Sequence, residues 1–280
     1  MRQLINALKD IKLAIFDLDG VIYREQSLVP NADKIIEELN HLSIKIVYNS
    51  NNSTITRQMY VDRLKKFNIV SKYTDFYTSA SITSAKITKI KKNATIFVVG
   101  EVGLREELKS MGHIVITDPV NYEDIDFVIV GLDREFKYTN LAIAQRCILE
   151  GNAQFFATNA DTTLPAARGL LPGAGVMVNA LETCTNKKPI KIFGKPETFG
   201  IDLILKDFNL LAKEVCIFGD RLNTDILAGN RAGIKTVVVL TGVTSKEEID
   251  TLLINTNKSN RIDKNLIPDI VINSLDEIFK

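Results

Sequence analysis

The chain has 280 residues, enough for one large domain or two moderate ones and for a sizeable core without disulfides or a structural metal. Lys and Arg number 35 against 34 Asp and Glu, a formal charge of +1 that excludes nucleic-acid binding driven by bulk charge. The two histidines, His41 and His113, are too few and too far apart for a His-based zinc site or a Ser-His-Asp triad, so catalysis falls to carboxylates, Lys, Ser, Thr or Asn.

In chain order, Lys12–Phe16 reads as a first strand ending at Asp17. Pro30 and Asn31 open a helix to about His41, with Ile35, Ile36 and Leu39 on one face. Ile44–Asn49 is a second strand, and the polar run Ser50–Thr54 leads directly into a helix reaching about Phe67. From about Ile82 the pattern restarts: strands over Thr95–Val99, His113–Ile116, Phe127–Val130 and Gln154–Ala157, with helices over Val102–Met111 and Asn140–Leu149. A Gly/Pro-rich passage, Pro165–Gly175, marks a return or linker. Three more strands follow, Ile190–Phe193, Val215–Phe218 and Lys235–Leu240, then a polar loop, Asn255–Lys264, and Ile270–Val271. Short β-branched runs alternating with amphipathic stretches predict an α/β protein with a mostly parallel sheet.

Cys147, Cys184 and Cys216 are odd in number, widely spaced and set in apolar stretches, the pattern of reduced core thiols. No basic-then-apolar leader opens the sequence and no apolar run approaches the ~20 residues of a membrane span. The expectation is a soluble cytoplasmic protein with no membrane and no nucleic-acid partner.

The chemistry collects at strand ends. Asp17 and Asp19 converge after the first strand, with Gly20 allowing a sharp turn; two neighbouring carboxylates call for a hard cation, most simply Mg²⁺, or for a turn role. Ser50, Asn51 and Asn52 after the second strand offer hydroxyl and amide groups to a phosphate; a capping residue, for which Ser53 suffices, is the plainer alternative. Lys195, between Gly194 and Pro196, can set one positive charge over a phosphate or be a solvated surface lysine. Asp220 follows Val215–Phe218 and completes a metal site, while Asp225 orients Lys195 or simply offsets a helix dipole. Each signal alone is ambiguous; four at four strand ends, in the order acid pair, hydroxyl/amide, lysine, acid pair, assemble a phosphate site.

That order resembles the haloacid dehalogenase-like (HAD) phosphohydrolase superfamily, and its wording resembles the NagD / p-nitrophenylphosphatase branch. The resemblance is carried by DLDGVIY at Asp17–Tyr23, SNNSTITR at Ser50–Arg57, VGLDREFKY at Val130–Tyr138 and ATNADTTLP at Ala157–Pro165. It continues with GLLPGAG at Gly169–Gly175, ALETCTNKKP at Ala180–Pro189, GKPE at Gly194–Glu197, GDRLNTDILAGNRAG at Gly219–Gly233 and LTGV at Leu240–Val243. Asn49 and Asn223 depart from the usual pattern at non-catalytic positions.

The resemblance implies a Rossmann-like core over 1–81 and 180–280 with a large α/β cap, 82–179, inserted between them. It implies a Mg²⁺-dependent phosphatase of small soluble phosphate monoesters. Asp17 would be the nucleophile forming an aspartyl-phosphate, and Asp19 the general acid and base. Mg²⁺ would be held by the Asp17 carboxylate, the Asp19 backbone carbonyl and Asp220, while Ser50, Asn51 and Lys195 would take phosphoryl oxygens with Asn52 close by. Asp225 would be a supporting acid. Asp133, Arg134, Asn159 and Asp161, in cap loops after strands, are candidates for contact with the leaving group, and the cap is a candidate homodimer surface. Three alternatives remain at this point: a phosphotransferase using the same intermediate, a receiver-like domain, and a non-catalytic phosphate-binding module.

Overall fold

The structure, a computed structural model, describes residues 2–165, 169–258 and 264–280. Its contacts group into two compact units, Met1–Ser50, Val61–Tyr77 and Lys195–Lys280 in the first, Asn51–Tyr60 and Thr78–Gly194 in the second. No helix among the described residues is long and apolar enough to cross a membrane.

The first unit carries a six-stranded sheet in the order Ile270–Ile272, Lys235–Val239, Val215–Gly219, Leu13–Phe16, Lys45–Ser50, Phe76–Thr78. The Leu13–Phe16 strand is apolar at every position and buried throughout, as a parallel strand covered on both faces must be. It pairs in parallel with Lys45–Ser50 on one side and with Val215–Gly219 on the other. Ile15, Val47, Ile217 and Ile201 fill one core around it, and Phe16 stacks on Phe218 at 4.6 Å between centroids. The helix Ala32–His41 buries Ala32, Ile35, Ile36 and Leu39, the face its spacing predicts.

Register brings the strand ends to a common height. Phe16 lies opposite both Tyr48 and Phe218, so the residues after them leave the sheet side by side at its carboxyl edge. The chain first adds strands on the Lys45–Ser50 side, then on the Val215–Gly219 side, so the order reverses at Leu13–Phe16. A reversal of this kind opens a crevice beyond the strand ends, where ligands bind in open α/β sheets.

The second unit has its own five-stranded parallel sheet, in the order Lys191–Ile192, Gln154–Ala157, Phe127–Val130, Thr95–Val99, Ile114–Ile116. Its core includes Phe97, Val128, Val130, Phe155, Met177, Val178 and Leu181. The last three explain why this unit extends past 179: helix Ala174–Thr185 runs through that position and packs its apolar face into this core. The strand expected over Ile190–Phe193 is shortened to Lys191–Ile192 and pairs with Gln154–Ala157, which carries the unit to Gly194. At the other end the helix Ser79–Ile90 starts before Ile82, capped by Thr78, whose Oγ1 accepts from the Ser81 N–H at 3.1 Å.

Two loop expectations change. Pro165–Gly175 holds a strand, Leu170–Pro172, paired antiparallel with Thr163–Pro165; residues 166–168 of that passage lie outside the described residues. The polar stretch after Asn255 continues helix Lys246–Lys258, with 259–263 outside the described residues.

Candidate active site

Four side chains of the first unit meet at the sheet's carboxyl edge. Lys195 is 5% exposed, and its Nζ donates to Asp17 Oδ1 at 2.8 Å, Asp225 Oδ1 at 2.5 Å and the Asn49 carbonyl at 2.7 Å. Those three acceptors match the three N–H bonds of an ammonium. Asp17, Asp220 and Asp225 are buried, and one carboxylate oxygen from each lies within 4.8 Å of the others.

Local backbone fixes each group. Asp17 follows the first strand and its N–H still donates to the Phe218 carbonyl at 2.8 Å, holding it in line with Gly219 and Asp220. Gly20, at φ +86°, turns the chain away; a Cβ there would meet the Asp220 carboxylate. Asp220 Oδ2 accepts from the Val243 N–H at 2.8 Å, and its carbonyl from the Thr244 N–H at 3.0 Å. Asp225 lies in a wide π-type turn, Leu222–Ile226, where its Oδ2 accepts from the Arg221 N–H at 3.2 Å while Oδ1 faces Lys195.

Charge does not balance here. Three buried carboxylates face one ammonium, and the consequences are read in their proton affinities. Burial, with repulsion from Asp225 and Asp220, pushes Asp17 well above the carboxylate range despite Lys195. Burial and then Asp225 push Asp220 up to about 7. Burial works against the charge of Lys195, but Asp17 and Asp225 outweigh it and keep the ammonium protonated. An all-oxygen cluster with surplus negative charge fits a hard divalent cation, which would relieve the repulsion that raises Asp17 and Asp220.

The Asp19 side chain stands outside that carboxylate cluster. It is partly exposed, its pKa raised by burial against the pull of Arg63, Lys195 and Arg221. Ser50 ends the second strand and is buried.

Asn51, Asn159 and Asp161 come together in the second unit: Asn51 Nδ2 donates to both Asp161 oxygens at 3.1 and 3.2 Å, and Asn159 Nδ2 to the Asn51 carbonyl at 2.8 Å. Asn52 turns on itself, its Oδ1 accepting from Thr54 N and Oγ1 at 2.8 and 2.7 Å. The expected helix after Thr54 starts later, at Arg57, and Thr56 rather than Ser53 meets its first turn, accepting from the Met59 N–H at 3.2 Å. Asp133 and Arg134 keep apart from Asn159 and Asp161 in their partners: Arg134 forks onto Glu101 at 2.8 and 2.6 Å, and Asp133 Oδ1 accepts from the Glu135 N–H at 3.0 Å.

Neither histidine belongs to this constellation. His113 is buried, its Nδ1 accepting from the Ala94 N–H at 3.1 Å and its Nε2 paired with Thr88 Oγ1 at 2.9 Å; burial lowers its pKa. His41 is exposed beside Glu37. The cysteines are free thiols, Cys147 and Cys216 buried. Sequence reasoning did not single out the Asn49 carbonyl or the Val243 N–H, because a main-chain group leaves no mark in residue type; the LTGV wording at Leu240–Val243 was the available signal for the second.

Two family models match, "Haloacid dehalogenase-like hydrolase" over residues 14–114 and a HAD-hydrolase-like model over 192–278. An acid sugar phosphatase of Staphylococcus haemolyticus is 36% identical over 242 residues, 86% of this chain and 90% of the relative. A 5'-nucleotidase of Bacillus subtilis is 33% identical over 242 residues, 86% of this chain and 92% of the relative. Among solved structures, a 4-nitrophenylphosphatase from Thermotoga maritima superposes with a TM-score of 0.86 at 30% identity, covering 98% of both chains. With similarity at this level over nearly the whole length of each relative, the chain belongs to the haloacid dehalogenase-like hydrolases, in their NagD / p-nitrophenylphosphatase branch, and is a phosphoric monoester hydrolase.

Proposed function

We propose that this hydrolase is a Mg²⁺-dependent phosphatase of small phosphate monoesters that works through an aspartyl-phosphate on Asp17. The observation that carries the reading is the ammonium of Lys195 shared between Asp17 and Asp225, with Asp220 beside them, at the reversal point of a parallel sheet. Mg²⁺ would be held by the Asp17 and Asp220 carboxylates and the Asp19 carbonyl, and when bound it neutralises charge as an anionic nucleophile meets an anionic ester.

In the first step an Asp17 carboxylate oxygen attacks phosphorus in line. The bond from phosphorus to the ester oxygen breaks with its electron pair on the departing alkoxide, and Asp19 supplies the proton. The upward shift of Asp19 by burial supports its carrying that proton. In the second step water attacks the acyl phosphate, Asp19 accepts its proton and Asp17 is released as carboxylate. Ser50, Asn51 and Lys195 bind the transferring oxygens. Because the Lys195 donors already have protein acceptors, a phosphoryl oxygen takes over or shares the one on Asp17, while Asp225 keeps the ammonium in place.

The second unit is the cap, and Asn159 and Asp161, tied to Asn51, are its contribution nearest in the chain's bonding to the phosphate-binding run. Sugar phosphates and nucleotides are the substrate classes favoured by the names of the relatives. The test is hydrolysis of p-nitrophenyl phosphate with and without Mg²⁺ in wild type and Asp17→Asn. Activity should need the cation and vanish in the variant; robust turnover by Asp17→Asn would sink the nucleophile assignment.

A further inference from the structure

A second place in the molecule combines a cavity with unspent charge. In the second unit the chain runs from Thr95–Val99 outward to Ile114–Ile116, then returns to the other side of Thr95–Val99 with Phe127–Val130. The strand order reverses there, and the crevice lies beyond the carboxyl ends of Thr95–Val99 and Phe127–Val130. A cavity of about 680 Å³ opens at that place, lined by Glu101, Arg105, Asp133, Arg134, Glu135 and Lys137 among others, all residues of this one unit. That volume lies in the range of small-metabolite sites.

The charges on its wall are not equivalent. Glu101 and Arg134 satisfy each other: the Arg134 N–H, Nε and Nη2 all donate to the Glu101 carboxylate at 3.0, 2.8 and 2.6 Å. Burial opposes ionisation of Glu101, yet Arg134 and then Arg105 hold it below the usual range. Asp133 spends one oxygen on the Glu135 N–H and keeps the other, while Glu135 is exposed at the rim. Arg105 and Lys137 form no ion pair among the described residues, and the Arg105 Nε is buried without a hydrogen-bond partner. Arg105 and Lys137 thus bring to the cavity wall two cations that no carboxylate pairs among the described residues, and an anion in the cavity can satisfy both.

We infer that this cavity is a second binding site, for a small phosphate ester bearing hydroxyl groups. Its phosphate is received by Arg105 and Lys137, and its hydroxyls by the remaining oxygen of Asp133. Asp133 and Arg134 thereby serve this site rather than the leaving group of the reaction. The site stands independently of the roles proposed for Asp17 and its neighbours.

The test uses the full chain carrying Asp17→Asn, with AMP as probe, titrated by calorimetry while phosphate release is followed separately. Adding Arg105→Leu and Lys137→Met should remove one bound AMP per chain with the thermal midpoint unchanged, and Arg105→Lys should restore part of the binding. Unchanged AMP stoichiometry in the triple variant overturns the inference. So does a rise of more than tenfold in KM for p-nitrophenyl phosphate when the two substitutions are placed in the Asp17 chain, because the residues then belong to the reaction site. Phosphate release by the Asp17→Asn chain counts against the nucleophile alone, and the AMP count is then taken with divalent cations chelated and no phosphate being released.

Discussion

Lys195 Nζ donates to Asp17 Oδ1 at 2.8 Å across 178 positions of sequence, and the same ammonium reaches Asp225 Oδ1 at 2.5 Å. Lys195 is therefore a structural counter-charge in addition to the phosphate ligand proposed above. Lys195→Met should leave three buried carboxylates without a cation and lower the unfolding free energy of the metal-free chain by about 3–5 kcal/mol. Lys195→Arg keeps the charge but not the point geometry, and should recover stability better than turnover. Urea unfolding with parallel kinetics measures both; a Lys195→Met chain as stable as wild type would contradict the pairing.

The upward shift of Asp220 to about 7, caused by burial and then by Asp225, makes stability depend on pH. Between about pH 4, where an unfolded Asp titrates, and about pH 7, the native carboxyl holds a proton that the unfolded chain has released. This contribution is fully present below the unfolded value and is lost as pH rises through about 7, by up to about 1.4 kcal/mol per pH unit for one proton. Asp17 shifts in the same direction. After chelation, the thermal midpoint should fall between pH 5 and pH 7.5, and Asp220→Asn should flatten that slope. Added Mg²⁺ should raise the midpoint more at pH 7.5 than at pH 5.

Two glycines make room for Asp220. A Cβ on Gly242 would overlap the Asp220 carboxylate, and a Cβ on Gly20 would do so from another side while also forcing φ +86° on an L-residue. Gly242→Ala should displace the carboxylate, cost about 1–3 kcal/mol of stability and weaken Mg²⁺ dependence by raising the half-saturating concentration. Wild-type Mg²⁺ saturation in Gly242→Ala would show that Asp220 can move without loss.

The adjacent amides should separate in their effects. Asn52 closes a turn onto Thr54, so Asn52→Ala should cost about 1 kcal/mol of stability and leave KM unaltered. Asn51→Ala, which breaks the tie to Asp161, should raise KM for p-nitrophenyl phosphate. An equal rise for both would place Asn52 at the phosphate.

What sequence conveyed well was whatever depends on local pattern. The buried run Leu13–Phe16 is apolar at every step, so its carboxyl end, and with it Asp17, could be placed from composition. Gly219 and Asp220 followed from the same logic one strand away. The extent of the second unit was less legible. Whether Met177, Val178 and Leu181 face one core or another is decided by tertiary packing, and helical spacing is identical in either case. The pair Thr163–Pro165 and Leu170–Pro172 escaped notice because strands of three residues rich in Pro read as linker. The separate surroundings of Asp133–Arg134 and Asn159–Asp161 were equally hidden, since all four follow strands of one sheet and only side-chain partners tell them apart.

The chain passes between its units at Ser50–Asn51, Tyr60–Val61, Tyr77–Thr78 and Gly194–Lys195. Two of these four crossings are peptide bonds that adjoin groups assigned to phosphate binding. On the proposed mechanism the second unit can therefore diverge in its interior and exchange loops, while its first and last junctions stay constrained by the phosphate-binding groups beside them. A graft that swaps the long segment of this unit between relatives should cut inside Thr78 and Gly194, which leaves Val61–Tyr77 with its own unit and keeps Ser50–Asn51 and Gly194–Lys195 native.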